Sequence, residues 1–157
     1  MSRLAVKAYC RQAMALLDVP VPCVVVTQRP REIAVGEQAV ITINVPESKE
    51  RRLTLSRGAG RKEISHQVRL DIYWIAADEQ QGGAAFDDLL EQIDGIFRTV
   101  TIPVAISDPD SGSQSVLVWI GEDLTTSVAE PLLDESLQGL VVFTAQKTLA
   151  VTEHVMG

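Results

Sequence analysis

The sequence contains little of the chemistry that most enzymes use. It has two cysteines and two histidines in 157 residues. The cysteines have no repeated spacing, so we expect neither a disulfide framework nor a zinc site. With only His66 and His154 available, a Ser/His/Asp or Cys/His catalytic arrangement has little support. We therefore predict no catalytic residue, no metal site and no cofactor, and we do not expect an enzyme.

Long apolar runs are also missing. No stretch approaches the roughly 20 apolar residues that cross a bilayer, and the first residues, Met1-Ser2-Arg3-Leu4, lack the pattern of a signal peptide. Positive charge is in deficit, with 14 Lys and Arg against 21 Asp and Glu and a net charge of −7. This balance argues against a general binder of nucleic acids or membrane surfaces. We expect a protein of a reducing cytoplasm without a membrane partner.

The composition and the length of the chain are typical of a globular domain. Apolar residues make up 46% and charged residues 22% of the chain, which is ordinary for such proteins. A chain of this length buries about 68–70% of its unfolded surface. We see no internal repeat and no linker, so residues 1–157 are predicted to form a single domain.

The clearest local signal is an alternating strand over residues 64–76. One parity carries Ile64, His66, Val68, Leu70, Ile72 and Trp74, and the other is mostly polar. A period of two places these sets on opposite faces of a sheet. A lone histidine on the apolar parity is more often a satisfied buried residue than a catalytic base.

Two amphipathic helices are predicted. The second, over residues 86–97 after a turn containing Gly82 and Gly83, has the apolar stripe Phe86, Leu89, Leu90, Ile93, Ile96 and Phe97. The simplest packing lays this stripe on the Val68–Trp74 face of the strand. The first helix begins the chain, with Val6, Cys10, Ala13 and Leu17 on one stripe and Arg3, Lys7 and Arg11 in a basic row. Pro20 is expected to end it.

Further strands are expected over residues 23–27, 39–45, 102–106, 116–120 and 140–151. Pro46 is expected to close the second of them, and Pro103 to mark an edge strand or a bulge. Residues 124–137 are ambiguous, and the tail is one long strand or a bent pair. The order helix, strands, helix, strands favours the α+β class, a mainly antiparallel or mixed sheet with two helices packed on it.

Two short motifs resemble ligand-binding loops but fail in detail. The glycines of residues 58–60 precede a strand and lack the Walker spacing, so a hairpin containing a brief strand at Leu53 and Leu55 is the better interpretation. Residues 108–113 lack three of the positions that an EF-hand calcium loop needs. They are predicted to form a turn.

Charge is distributed unevenly along the chain. Residues 49–62 contain six basic residues against one acid, and acids are concentrated on the second helix. Any single charge is most simply a solvated surface group, but a basic and an acidic surface on one molecule also suit a head-to-tail contact between copies. The candidates for a subunit interface or for a lumen are Arg51, Arg52, Arg57, Arg61, Lys62, Asp87, Asp88, Glu91 and Asp94.

The order of elements and three segments together carry a family resemblance. The segments are the basic glycine loop at 57–62, the strand at 65–72 and the helix at 86–93. Over residues 51–98 the chain resembles the tail-terminator, or tail-completion, proteins of long-tailed bacteriophages. The resemblance implies a small α+β virion protein without catalytic residues, which forms a ring, a hexamer, at the head-proximal end of the tail tube.

The same resemblance implies a function and partners. The ring would end polymerisation of the tube and join the tail to head-completion proteins. Its partners would be other copies of itself, the tail tube protein and a head-completion or connector protein, with DNA passing through the lumen without specific binding. Its location would be the tail or neck of the virion, and the host cytoplasm during assembly.

Two alternatives stay open. A head–tail connector or neck protein would share the fold but contact the portal side. A small-molecule-binding or enzymatic α+β domain would need a deep pocket that holds polar groups with perturbed pKa values.

Overall fold

A computed structural model describes residues 2–27, 38–52, 61–99, 104–107, 114–134 and 139–156. The first element is helix α1 (Ser2–Ala13), which a 3-10 turn extends (Met14–Leu16). The others, in chain order, are β1 (Cys23–Val26), β2 (Gln38–Arg52), β3 (Arg61–Ala76), α2 (Glu79–Thr99), β4 (Val104–Ser107), β5 (Gln114–Val128), β6 (Leu132–Asp134) and β7 (Leu140–Met156).

The strands that the structure describes form one mixed sheet. Their order is β1-β2-β3-β7-β5-β4, and β6 pairs with the beginning of β7. β1 runs parallel to β2, whereas the other described pairs are antiparallel. One hydrophobic cluster joins both helices to β2, β3 and β7. The predicted α+β class, a mixed sheet with two helices packed on it, is confirmed.

The two central strands are β3 and β7. They pair antiparallel without a register shift from Arg61 opposite Met156 to Ala76 opposite Val141. On β3 the side chains of Val68, Leu70, Ile72 and Trp74 are buried on one face, as the period of two predicts. The tail of the chain is one long strand, which was one of the two predicted forms.

Several predicted strands are confirmed with changed bounds. β4 lies at the end of the strand order, as predicted for an edge strand. Of the ambiguous residues 124–137, residues 124–128 are the end of β5 and 132–134 are β6, while 135–137 lie outside the described residues. The brief strand at Leu53 and Leu55, the glycine loop at 58–60 and the turn at 108–113 lie outside the described residues.

Pro46 does not close its strand, and that prediction was wrong. β2 continues through Pro46 to Arg52, and its pairing with β3 shifts register between Asn44 and Glu47. A β-bulge leaves residues out of the hydrogen-bonded ladder, so a proline without an N–H is tolerated there. The bulge therefore lets β2 continue beside β3 to Arg52, and we call residues 47–52 and 61–67 the β2–β3 hairpin arm, although β7 also pairs with β3 along it.

Helix α2 begins seven residues before Phe86, the residue at which it is predicted to begin, so Gly82 and Gly83 lie inside it. Asp78 caps the helix, because its side-chain Oδ1 accepts the N–H of Gln80 (2.9 Å) and its carbonyl accepts the N–H of Gly82 (2.9 Å). A Cβ at Gly82 would lie 2.5 Å from Cβ of Ala76 and 2.9 Å from Cε2 of Phe143. Here glycine permits close contact between helix and sheet.

The predicted stripe of α2 forms the centre of the core. Phe86, Leu89, Ile93 and Phe97 are buried. The ring of Phe86 lies 5.6 Å, centroid to centroid, from that of Phe143 on β7. The helix therefore packs on β7 as well as on β3, where the sequence pointed to β3 alone.

Helix α1 covers β2 with a slightly different stripe from the predicted one. Val6 and Cys10 are buried as expected, but the third buried residue is Met14, while Ala13 and Leu17 are partly buried. The α-helix ends at Ala13, well before Pro20, and the Leu17 N–H donates to the Met14 carbonyl (3.2 Å). This 3-10 turn winds more tightly than an α-helix and brings Met14 onto the sheet.

Candidate functional site

The predicted basic residues that the structure describes meet at the end of the β2–β3 hairpin arm. Arg51 lies opposite Glu63, and Arg52 lies opposite Lys62. Both arginines are exposed, and neither forms an ion pair with a described residue. Arg61 is the first residue of β3. Arg57 lies outside the described residues.

Two of the cations on this arm form ion pairs with neighbouring acids. Lys62 Nζ lies 2.7 Å from Glu50 Oε1, and Lys49 Nζ lies 3.2 Å from Glu47 Oε1. Exposed pairs of this kind contribute roughly 0–1 kcal/mol each. Their effect here is on the surface potential, since Lys62 is already partly neutralised within the monomer. The arm is therefore less positive than its cation content suggests.

The four predicted acids of α2 have different environments. Asp87 and Glu91 are exposed one helical turn apart, with no ion pair to any described residue. Asp88 accepts a hydrogen bond from Gln92 Nε2 (2.8 Å). Asp94 is half-buried and lies 2.6 Å from Lys147 Nζ. Of these four carboxylates, Asp87 and Glu91 are the two that have no ion pair or hydrogen bond to a described side chain.

Lys147 is a buried cation that the sequence interpretation missed. Its ammonium donates to Asp94 Oδ1 (2.6 Å) and to Thr126 Oγ1 (2.7 Å), and its side chain is fully buried. The pair links α2 to β7 and β5 across the core. A buried charge needs such partners, because desolvation alone would strongly disfavour it.

A second missed cluster joins three strands to α1. His66 Nδ1 lies 2.8 Å from Ser48 Oγ, and His66 Nε2 lies 2.8 Å from Glu153 Oε2. Arg3 Nε donates to Ser48 Oγ (3.2 Å). His66 is 0% exposed and Glu153 is also buried. The predicted satisfied, buried histidine is confirmed, but its partner lies 87 positions away and no local pattern identifies it.

This Ser48–His66–Glu153 cluster has the connectivity of a catalytic triad but an unfavourable geometry for one. Serine contacts Nδ1, whereas in the usual triad it contacts Nε2 and the acid holds Nδ1. The imidazole is sealed from solvent, and an Arg3 N–H occupies a lone pair of the serine oxygen. The arrangement is suited to holding β2, β3, β7 and α1 in register.

Two shallow clefts lie on the described surface. One of about 300 Å³ lies on the sheet face opposite the helices and is lined by Asp71, Tyr73, Ser127 and Gln146 among others. Another of about 200 Å³ is lined by Glu47, Lys49 and Gln67 among others. These volumes are at or below the lower limit for small-molecule sites, about 300 Å³.

Perturbed acid–base groups lie away from these clefts. Burial raises the pKa of the Cys10 thiol from 9.0 to about 12 and also raises the pKa of Cys23. Desolvation, and then the neighbouring Cys10, raise the pKa of Tyr9. All three groups belong to α1 or to β1, so they reflect burial under the first helix rather than a binding site.

The described residues contain neither a metal-ligand group nor a membrane-spanning helix. Among the described residues no group of three or more His, Cys, Asp or Glu side chains could hold a metal ion. No described helix is long and apolar enough to span a bilayer. Comparison of the chain with protein-family models and with curated proteins gave no match.

Proposed function

We propose that this protein is a ring-forming structural subunit that ends the polymerisation of a bacteriophage tail tube and joins the tail to head-completion proteins. The ring, a hexamer, sits at the head-proximal end of the tube, and DNA passes through it. The proposal draws on the resemblance over residues 51–98 and on the distribution of charge in the fold. In this role the chain acts by shape and surface charge.

One observation carries the proposal: the described surface exposes cations and acids that form no ion pair with another described residue. Arg11 on α1 and Arg51 and Arg52 on the hairpin arm are exposed cations, and Asp87 and Glu91 on α2 are exposed acids. Heterologous contacts between unlike surfaces of identical copies form rings when the rotation closes. Complementary charge steers such encounters and sets their register.

The acidic excess of the chain also suits a conduit for DNA. Cationic walls would hold the phosphates of a sliding duplex, whereas a net charge of −7 per copy disfavours such retention. A low affinity for DNA is therefore expected of the assembled ring. Retention of linear duplex DNA on immobilised protein at physiological salt would contradict this role.

Two measurements test the assignment. The mass of the purified protein in solution over a wide concentration range should show a concentration-dependent ring. Electron microscopy of lysates from a phage lacking this protein should then show overlong tails without heads. Filled heads that leak DNA would instead identify a head–tail connector. A protein that stays monomeric at all concentrations and is absent from virions would refute both roles.

The connectivity of the hydrogen-bonded Ser48–His66–Glu153 cluster raises a second candidate, a serine hydrolase, although its geometry is unfavourable. A fluorophosphonate probe tests it directly, because it labels serines that a histidine activates. We expect no label, since His66 is sealed and contacts serine through Nδ1. Labelling that disappears in Ser48→Ala would establish the hydrolase instead.

A further inference from the structure

One flank of helix α1 is exposed at Leu4 and Arg11 and partly exposed at Lys7. Its buried stripe faces β2, and Tyr9 and Ala13 pack against the core on one side of that stripe. At 100° per residue, Lys7 and Arg11 lie on the other side. Leu4, 64% exposed, lies near them. We call Lys7, Arg11 and Leu4 the basic flank.

The cations of helix α1, unlike those of the hairpin arm, have no acid on their own element. Helix α1 contains Arg3, Lys7 and Arg11 and no acid. None of the three forms an ion pair with a described residue. On the arm, by contrast, Lys62 is paired with Glu50 and Lys49 with Glu47.

Helix α2 has an exposed flank of the opposite sign. Gln92, on the side facing α1, exchanges two hydrogen bonds with the backbone of Asp18 (3.0 and 2.7 Å). Asp94, on the other side, accepts a hydrogen bond from Lys147 on β7, and Lys147 also donates to Thr126 on β5. Asp87 and Glu91 share the side of Asp94 and so face away from α1. We call Asp87 and Glu91 the acidic flank.

The two flanks lie on opposite sides of the helical layer. α1 covers β2, near the β1 end of the sheet, and the acidic flank faces the β5 and β6 end. On β6 the side chains of Leu132 and Leu133 are 63% and 69% exposed. A charged flank with exposed leucines nearby is thus present at both ends, and one molecule cannot bring its own two flanks together.

We propose that the acidic flank of one copy binds the basic flank of the next, and that this is the lateral contact of the ring. In both flanks the two charges are four residues, or about 6 Å, apart along a helix axis, so Lys7 and Arg11 match Asp87 and Glu91 pair for pair. The contact is heterologous, as ring closure requires. This inference rests on the proposed assembly of identical copies, and it leaves Arg51 and Arg52 free for axial neighbours.

The test uses two full-length variants, Lys7→Glu/Arg11→Glu and Asp87→Lys/Glu91→Lys, with assembly followed by sedimentation velocity. Each variant alone places like charges at every lateral contact, so the concentration for half-assembly should rise at least tenfold. An equimolar mixture should assemble again as an alternating, even-numbered ring, since each variant then meets its complement on both sides. Arg51→Glu/Arg52→Glu is the matched control and should assemble like the native protein.

The outcomes separate this contact from the general proposal. If the native protein assembles and the helix variants assemble equally well, or if the mixture stays disassembled, the assigned contact is refuted while the ring stands. If the arm control alone loses assembly, the lateral cation surface is the hairpin arm. If the native protein never assembles, both proposals fail. Recovery in the mixture also excludes misfolding, because neither chain is changed further.

Discussion

At the scale of single residues, the close approach of α2 to the sheet depends on the absence of a side chain at Gly82. A Cβ there would meet Ala76 and Phe143 at 2.5 and 2.9 Å, and the Ala76 methyl cannot rotate away. Gly95 lies in the same helix but has no atom within 4 Å of such a Cβ. The two positions thus form a matched pair for the same substitution.

Gly82→Ala should lower the free energy of unfolding by about 1–2 kcal/mol, because the clash outweighs the better helix propensity of alanine. Gly95→Ala should raise it by roughly 0.5–1 kcal/mol through propensity alone. Urea denaturation measures both, and an unchanged m-value would show that only stability differs. Equal effects at the two sites would contradict the close packing of Gly82 against Ala76 and Phe143.

The buried thiol of Cys10 should make the stability of the fold depend on pH. The folded state holds this thiol neutral with a pKa of about 12, whereas the unfolded chain ionises it near 9.0. The unfolded state therefore binds fewer protons between these values, and stability falls as pH rises, at a slope approaching about 1.4 kcal/mol per pH unit. Below pH 9 this contribution is fully present.

The measurement compares the native protein with Cys10→Ala by denaturation from pH 8 to 11. The difference in unfolding free energy between the two proteins should shrink as pH rises, because only the native protein contains Cys10. The tyrosines, the lysines and Cys23 titrate in both proteins, so their contributions cancel in this difference. A difference that stays constant over this range would mean that the Cys10 thiol ionises in the folded state.

At the scale of elements, buried polar pairs decide where the helices sit on the sheet. Asp94 and Lys147 bind α2 to β7, and Ser48, His66 and Glu153 connect β2, β3 and β7. Hydrophobic stripes tolerate small sliding movements, whereas a buried hydrogen bond has a defined geometry. The Asp94–Lys147 pair therefore selects one position for α2 among those that its apolar stripe allows.

Asp94→Ala should destabilise the fold by about 3–5 kcal/mol, because it leaves the Lys147 ammonium buried without its counterion. Asp94→Ala combined with Lys147→Met should recover most of that loss, since methionine fills the same space without a charge. Thermal unfolding of the single and double variants measures the coupling. Additive losses would show that Lys147 reaches solvent when its partner is removed.

At the scale of the whole molecule, the proposed ring should respond to salt. In the proposed ring the lateral contacts are charge pairs at the surface. Salt screens such pairs over about 10 Å at 0.1 M and about 3 Å at 1 M. The concentration for half-assembly should therefore rise severalfold between about 0.05 and about 0.5 M NaCl. Sedimentation at each salt concentration checks this, and assembly that strengthens with salt would assign the contact to the exposed leucines.

Local patterns anticipated much of the fold. The faces of β3, the stripe of α2 and the strand at the tail follow from periods of 2 and 3.6 residues, which depend only on backbone geometry. The continuation of β2 through Pro46 did not follow, because a bulge is a property of two paired strands. The end of α1 at Ala13 was missed for a related reason, since contact with the sheet favours Met14 in the stripe.

The sequence by itself determined which residues share a face of each element. Only the tertiary structure decided which charges remain unpaired. Asp87 and Asp94 lie on the same flank of α2 and are equivalent in the sequence pattern, yet Asp87 is exposed whereas Asp94 binds Lys147, 53 positions away. The physical reason is that helical periodicity is local, while the counterion of a buried charge comes from whichever strand the fold places beside it.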